Sequence, residues 1–349
     1  MSLNKIFGIF SVGLSLAMCV NNARAEQGEG TVRDPLTGKY IDHVYRDWQE
    51  GVVLNPETGD YTVTYKGSQG FFAEVIFVPA TKIDSTLKSK FKDSRDSNGI
   101  RYSYKVKNGV GSKQNIDQLI TLVSNVTPGS LEAPQRWEAH AIPQPPSQGP
   151  NLILSWTYFG GEYLSGLAPG KSLAGLSLES SDLPGIALVK ISGAAPTTEW
   201  LGHYPVGVVG DQMEEIEKNN HIPRFAAVPK IPVGQPFDPA LTLTGLQKHV
   251  NQDLVSMKLV DPVFASQLDR GLQAAIDAAK INNTKALKDH LKDLRHVLKR
   301  EHGDVDKEDD EDDDGDGDKV KKPGLIDKLA ARVLDFDIKY VEKRISGKN

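Results

Sequence analysis

The chain contains a single cysteine, and it lies at position 19. Cys19 falls within an N-terminal stretch that has the parts of a secretory signal. Lys5 supplies a short positive region, Ile6–Val20 is apolar and uncharged, and Ala23-Arg24-Ala25 fits the small-x-small cleavage rule. Cleavage after Ala25 would start the mature chain at Glu26 and remove its only thiol. Disulfides, cysteine nucleophiles and cysteine metal sites are then excluded together. A large exported domain can do without staples because its core buries enough apolar surface. Leu16-Ala17-Met18-Cys19 has the outline of a lipobox, but Met18 stands where a small residue is expected. The apolar run is also shorter than the ~20 residues of a membrane-spanning helix. The chain is therefore expected to be secreted or periplasmic, with no stable membrane insertion after signal cleavage.

Catalytic signatures are absent as well. No H-E-x-x-H and no G-x-S-x-G occurs, and Gly109-Val110-Gly111-Ser112-Lys113 lacks P-loop spacing. The eight histidines show no metal-ligand spacing. Nor is there a strongly basic domain with interleaved aromatics, so nucleic acid is not an expected partner. The formal net charge is −5, and loss of Lys5 and Arg24 with the signal makes it −7. One block accounts for the acidity: residues 304–318 hold eleven Asp or Glu and one lysine. The remainder is nearly neutral.

What is present divides in two. Residues 26–210 are rich in β-branched and aromatic residues, with Gly and Pro between the runs. Tyr61, Val63 and Tyr65 alternate; so do Ile100, Tyr102, Tyr104 and Val106, and Leu152, Leu154, Trp156 and Tyr158. This period of two predicts half-buried strands. Phe71–Val78 is almost continuously apolar and predicts a central strand buried on both faces. Two more strands, joined by a turn, are expected near 172–179 and 186–192. Short strands separated by Asn55–Gly59, Ser97–Gly99, Pro169-Gly170 and Pro184-Gly185 predict an antiparallel β-sandwich of Ig-like architecture.

Residues 211–239 begin with one short helical stretch, and 221–239 then carry five prolines in nineteen residues, which predicts an extended linker. Beyond it, over 240–347, the period becomes helical. Leu243, Leu246, Val250 and Leu254 form one stripe, and Phe264, Leu268, Leu272, Ile276 and Ala279 a second. Leu287, Leu291, Leu294 and Leu298 form a third, and Ile326, Ala330, Val333, Val341 and Ile345 a fourth. Four amphipathic helices predict a four-helix bundle, with Thr284 as the N-cap of the third.

The acidic run can be aligned with a calcium loop. Asp310, Asp312, Asp314, Asp316 and Asp318 fall at positions 1, 3, 5, 7 and 9, and Gly315 at position 6. Position 12, where a bidentate glutamate belongs, is Lys321. The expected behaviour is a solvated loop between two basic helices, with a weak calcium site as the alternative. No other cofactor is expected. Trp156 alternates with core leucines, whereas Trp48 and Trp200 adjoin loops and are candidates for a ligand surface. Glu138, Glu162, Glu199 and Asp211 are the carboxylates that glycoside cleavage would need to draw on.

Residues 268–302 and 325–345 resemble the FIMAH-type helical domain of secreted bacterial proteins. The matching positions are Ala274, Ala278, Asn283, Ala286, Leu291, Leu294, Ala330, Ala331, Asp337, Tyr340 and Ile345. The resemblance covers about a quarter of the chain and implies an accessory module without catalytic residues of its own. The β region resembles no named family. The expected function is a non-enzymatic binding or structural module of the bacterial cell surface or extracellular matrix, its partner a surface or matrix component such as a glycan. The alternatives are an extracellular hydrolase, glycan-active or otherwise, with an accessory helical domain, and a weak calcium-binding protein.

Overall fold

A computed structural model describes residues 26–34, 37–67, 69–94, 99–145, 147, 151–160, 165–302 and 324–347. The signal region and the acidic run 304–318 lie outside them. The described chain is largely β, with helices concentrated toward the C-terminus, and it divides into two compact units. The smaller comprises residues up to Val78 together with Thr197–Glu217. The larger comprises Pro79–Pro196 and the chain from Lys218 onward. Both units are thus built from two chain segments, and of the three crossings between them one, Glu217/Lys218, falls within 211–239.

The smaller unit is one five-stranded sheet. Its strands are β1 (Glu26–Arg33), β2 (Tyr40–Trp48), β3 (Gly51–Leu54), β4 (Tyr61–Lys66) and β5 (Phe72–Phe77), in the order β2-β1-β5-β4-β3. The apolar run Phe71–Val78 does supply the central strand, β5. The β1–β5 pair is parallel, so the sheet is not wholly antiparallel as expected. Helix α1 (Gly207–Lys218) lends Val209 and Met213 to a core of Val63, Tyr65, Ala73, Val75 and Phe77.

Gly28 and Gly30, two apart on β1, leave a bare strip of backbone. Trp48 stacks on Phe72 above it, with ring centroids 5.4 Å apart, and donates from Nε1 to Gly28 O at 3.0 Å. The Arg46 guanidinium caps the indole at 4.0 Å. A Cβ on Gly30 would overlap the Trp48 ring and the Phe72 carbonyl. Trp48 is fully buried and serves as packing area, not as an exposed ligand surface.

The larger unit holds two sheets and the remaining helices. Strands β6 (Ser85–Asp93), β7 (Ile100–Asn108) and β11 (Ser172–Ser180) form a three-stranded sheet in the order β11-β7-β6. Strands β8 (Ile116–Val123), β9 (Trp137–Pro143), β10 (Leu152–Tyr158), β12 (Leu183–Gly193) and β13 (Ile222–Ile231) form a five-stranded sheet in the order β13-β12-β8-β10-β9. Consecutive β11 and β12 are not paired with each other; the chain passes from one sheet to the other at Ser181-Asp182.

Within the proline-rich segment, Ile222–Ile231 form strand β13, and the irregular residues 232–238 connect it to the next helix. Backbone groups alternate sides along an antiparallel strand, and Ala227 directs its N–H away from β12, to Ser89 Oγ at 2.9 Å. Pro223 and Pro229 share that parity, so their missing N–H groups face the open edge, where proline is tolerated. Side chains close this edge: Arg224 Nε donates to Ser85 O at 2.6 Å, and Tyr104 Oη donates to Ala227 O at 3.1 Å.

The four helical stripes are realised except at Ile326, which precedes the last helix and bridges to Val260. Helix α2 (Pro239–Lys248) continues as a π-helical turn over His249–Leu254, followed by α3 (Pro262–Lys280), α4 (Thr284–His302) and α5 (Lys328–Ile345). Asp238, Asp261 and Asp327 cap α2, α3 and α5 with their carboxylates, and proline opens the first two helices. Asn283, not Thr284, caps α4: its Oδ1 accepts from Ala286 N at 3.1 Å. Every stripe residue except the half-buried Ile345 is buried, in a core continuous with that of the two sheets. The helices therefore do not form a separately cored domain.

Gly30→Ala is expected to destabilise the smaller unit by roughly 1–3 kcal/mol, the usual cost of overpacking. Denaturant unfolding followed by tryptophan emission should show the loss. An unchanged midpoint would contradict the close approach at β1.

Candidate functional site

The five-stranded sheet is imperfect at one seam. The β8–β12 ladder runs from Ile116/Gly193 to Ile120/Lys190 and stops. Beyond that rung Thr121 Oγ1 bridges to Leu188 O at 3.0 Å, and Ser124 N donates to Pro229 O of β13 at 3.0 Å. A cavity of about 500 Å³ opens where the ladder ends. Ile120, Leu122, Ile153, Ala187, Leu188 and Met257 supply its apolar lining. Lys190 stands at the last rung, and Ser124, Gln144, Asn151 and Lys230 make the other end polar.

Apolar side chains continue from the cavity across the sheet face. Ile142 pairs with Ile153, Ile153 with Leu122, and Leu188 with Phe225. Leu122 is 43% exposed, Leu188 38%, Ile142 57% and Phe225 38%. All five strands thus contribute an apolar residue to one solvent-facing row. Solitary exposed leucines are ordinary, but a contiguous row around a concavity marks a contact surface.

A polar network fixes one wall. His249 is only 2% exposed; Ile186 N donates to its Nε2 at 3.0 Å, and its Nδ1 lies 2.7 Å from Asp253 Oδ2. The imidazole is therefore neutral, with its proton on Nδ1. Lys230 Nζ reaches Asp253 Oδ2 at 3.1 Å and Ile186 O at 3.3 Å. Its stem crosses Gly185, where a Cβ would lie 2.8 Å from Lys230 Cβ. Burial pushes the His249 pKa down, against the upward pull of Asp253. Burial would raise Asp253, but the His249 hydrogen bond and the Lys230 charge outweigh it and hold the carboxyl below its usual range. The π turn is what brings His249 and Asp253, four apart, to this wall, and Met257 follows directly into the cavity. Both imidazole nitrogens are occupied, so this dyad ties helix to strand and has no free nitrogen to act as a general base.

The residues singled out from sequence fall elsewhere. Asp310, Asp312, Asp314, Asp316 and Asp318 lie outside the described residues, as does Glu162. Trp200 is half-buried in the smaller unit, edge-on to Tyr65 at 5.9 Å and Tyr204 at 5.2 Å. Trp156 is core, as expected, and donates to Glu132 O at 3.1 Å. Glu138 lies 3.3 Å from His140 Nε2 on the exposed face of β9. Glu199 and Asp211 belong to the smaller unit. Among the described residues no three His, Cys, Asp or Glu side chains gather as a metal site requires, and no helix is long and apolar enough to cross a membrane. No protein-family model matches the chain, and no curated protein does.

Leu122, Leu188, Lys190, Lys230, His249 and Asp253 were not legible as a site. The available signal was apolar residues at both parities in Leu119–Val123 and Ile186–Val189, where a half-buried strand should alternate. Asp337, a position of the FIMAH-like pattern, is fully buried on α5. Neither carboxyl oxygen has a hydrogen-bond partner, and burial pushes its pKa well up.

Two pH effects follow. Unfolded His249 regains a value near 6.5, so its contribution to stability is complete above about pH 6.5 and declines as the pH falls below it. Between about pH 7.5 and 5.5 this contribution lowers the urea midpoint against that of Asp337, so the gap in midpoint between wild type and His249→Gln should change with pH; parallel slopes would sink the assignment. Asp337 has the opposite sign. Its raised folded pKa means stability is lost as the pH rises above the unfolded carboxyl value near ~4. Asp337→Leu should stabilise the protein by roughly 1–3 kcal/mol at neutral pH and by less in acid, measured by calorimetric unfolding at the two pH values.

Proposed function

We propose that the mature chain is a non-enzymatic, extracytoplasmic binding module of the bacterial cell surface or matrix, and that it binds through the solvent-facing side of the five-stranded sheet. The observation that carries this reading is the exposed apolar row around the cavity at the end of the β8–β12 ladder. The neutral, doubly hydrogen-bonded His249 also favours binding over chemistry at this place. Export rests on the signal pattern of residues 1–25.

We read the two sheets of the larger unit as a β-sandwich and α2–α5 as a four-helix bundle of FIMAH-like type. Support for the bundle comes from the buried stripes, and for the resemblance from the Asn283 cap and the buried Ala278, Leu291, Leu294, Ala330, Ala331 and Asp337, which stand at its positions. In this reading the helices are a buttress that packs on the sheet and, through His249, Asp253 and Met257, supports one wall of the cavity.

The test uses an environment-sensitive apolar dye, anilinonaphthalene sulfonate, on the folded mature protein. The dye should bind saturably, and Leu122→Ser combined with Leu188→Ser should weaken binding about tenfold. Both side chains are more than half covered, so the double variant should lose about 1–2 kcal/mol of stability while remaining folded at the titration temperature. Dye binding equal in the two proteins would remove this face as the binding surface.

A further inference from the structure

We infer that the cavity at the β8–β12 seam takes a medium-chain carboxylate, its acyl chain along Leu122, Ile153 and Leu188 and its carboxylate at Lys190. The inference rests on the reading of this sheet face as a binding surface and names the ligand class.

Three features select that class. The first is shape. From Ile120 to Ser124 the groove follows four strand steps, roughly 13 Å at the usual rise per residue, which suits an extended acyl chain of medium length. The cavity volume, about 500 Å³, lies within the ~300–1,000 Å³ typical of small-molecule sites. The second is polarity. Between the ends it is lined by Leu122, Val123, Ile153, Ala187, Leu188 and Met257, and the one polar side chain among them, Thr121, already donates its hydroxyl to Leu188 O. A sugar would leave that floor without hydrogen bonds, whereas an alkyl chain needs none.

Charge is the third. Among the described residues two lysines and no carboxylate line the cavity, so an anion is favoured over a cation. Lys230 already serves Asp253 and the Ile186 carbonyl. Lys190 extends from the last rung of the ladder, beside Ile120 at the end of the apolar floor. A carboxylate there would gain a charge-assisted hydrogen bond without desolvating Asp253.

The experiment is calorimetric titration of the full mature protein with laurate below its micelle concentration, beside dodecyltrimethylammonium and phosphatidylglycerol vesicles. Saturable laurate heat, absent with the cationic amphiphile and weakened about tenfold in Lys190→Glu, is the expected result. Lys190→Gln should lie between, and all variants should keep the wild-type unfolding midpoint. Equal binding of the two amphiphiles, or an unaffected Lys190→Glu, overturns the charge assignment while the apolar face stands. Binding to vesicles but not to monomeric laurate overturns the ligand class in favour of a membrane surface. If laurate fails while the dye still binds and is lost in the Leu122/Leu188 variant, the ligand class alone falls. If both probes fail, the binding face falls with it.

Discussion

A strand with two prolines must be an edge, and an edge must be covered. Strand β13 is where these demands meet. Its inner side completes a nine-residue register with β12, while its outer side lacks N–H groups at Pro223 and Pro229. Ser89, Arg224 and Tyr104 satisfy groups along that side and so bind the three-stranded sheet to the five-stranded one. The chain leaves β13 directly into α2, so the same strand delivers the helices to the sheet. Ile186, Ala226, Ala227 and Val228 then share a core with Leu243, Leu246 and Val250. Without a paired β13, sheet, second sheet and helices would lose their common border.

The cavity follows from the same arrangement. Strand β8 cannot hold β12 along its whole length and also reach β13, and Ser124 N chooses the Pro229 carbonyl. The ladder is given up over its last residues, and side chains fill only part of the gap. The π turn then sets His249 against the freed Ile186 N–H. A backbone donor exposed by the break is thereby satisfied from the helical side, and the seam stays open without a buried orphan at that point.

Much of the local structure was legible in the residues. Alternation located β4, β7 and β10, and the leucine stripes located all four C-terminal helices down to which side chains are buried. Proline misled at 221–239, because its effect depends on which side of a strand the missing donor faces, and that depends on a partner distant in the chain. The division into a β-rich part followed by helices from near residue 240 holds in element order; what composition did not reveal is that the hydrophobic surfaces on either side of the change share one core. Of the candidate site, almost nothing was readable. Trp48 drew attention as an aromatic near a loop, yet its place is decided by Gly28 and Gly30. Lys190 and Lys230 acquire meaning only when a ladder fails between strands far apart in sequence.

The interleaving of the two units has a bearing on biosynthesis. Trp200, Leu201, Val209 and Met213, which pack in or against the core of the first sheet, are made only after the whole of Pro79–Pro196. The larger unit waits longer still, for Val333, Leu334 and Ile338 on the last helix. The larger core cannot close until the last helix has been made, so its two sheets pass through synthesis with apolar faces uncovered. A chain held unfolded until its last helix is made therefore forgoes no early closure of this larger core. By the same logic a cut at the compositional boundary near residue 240 would not yield two proteins, but two incomplete ones.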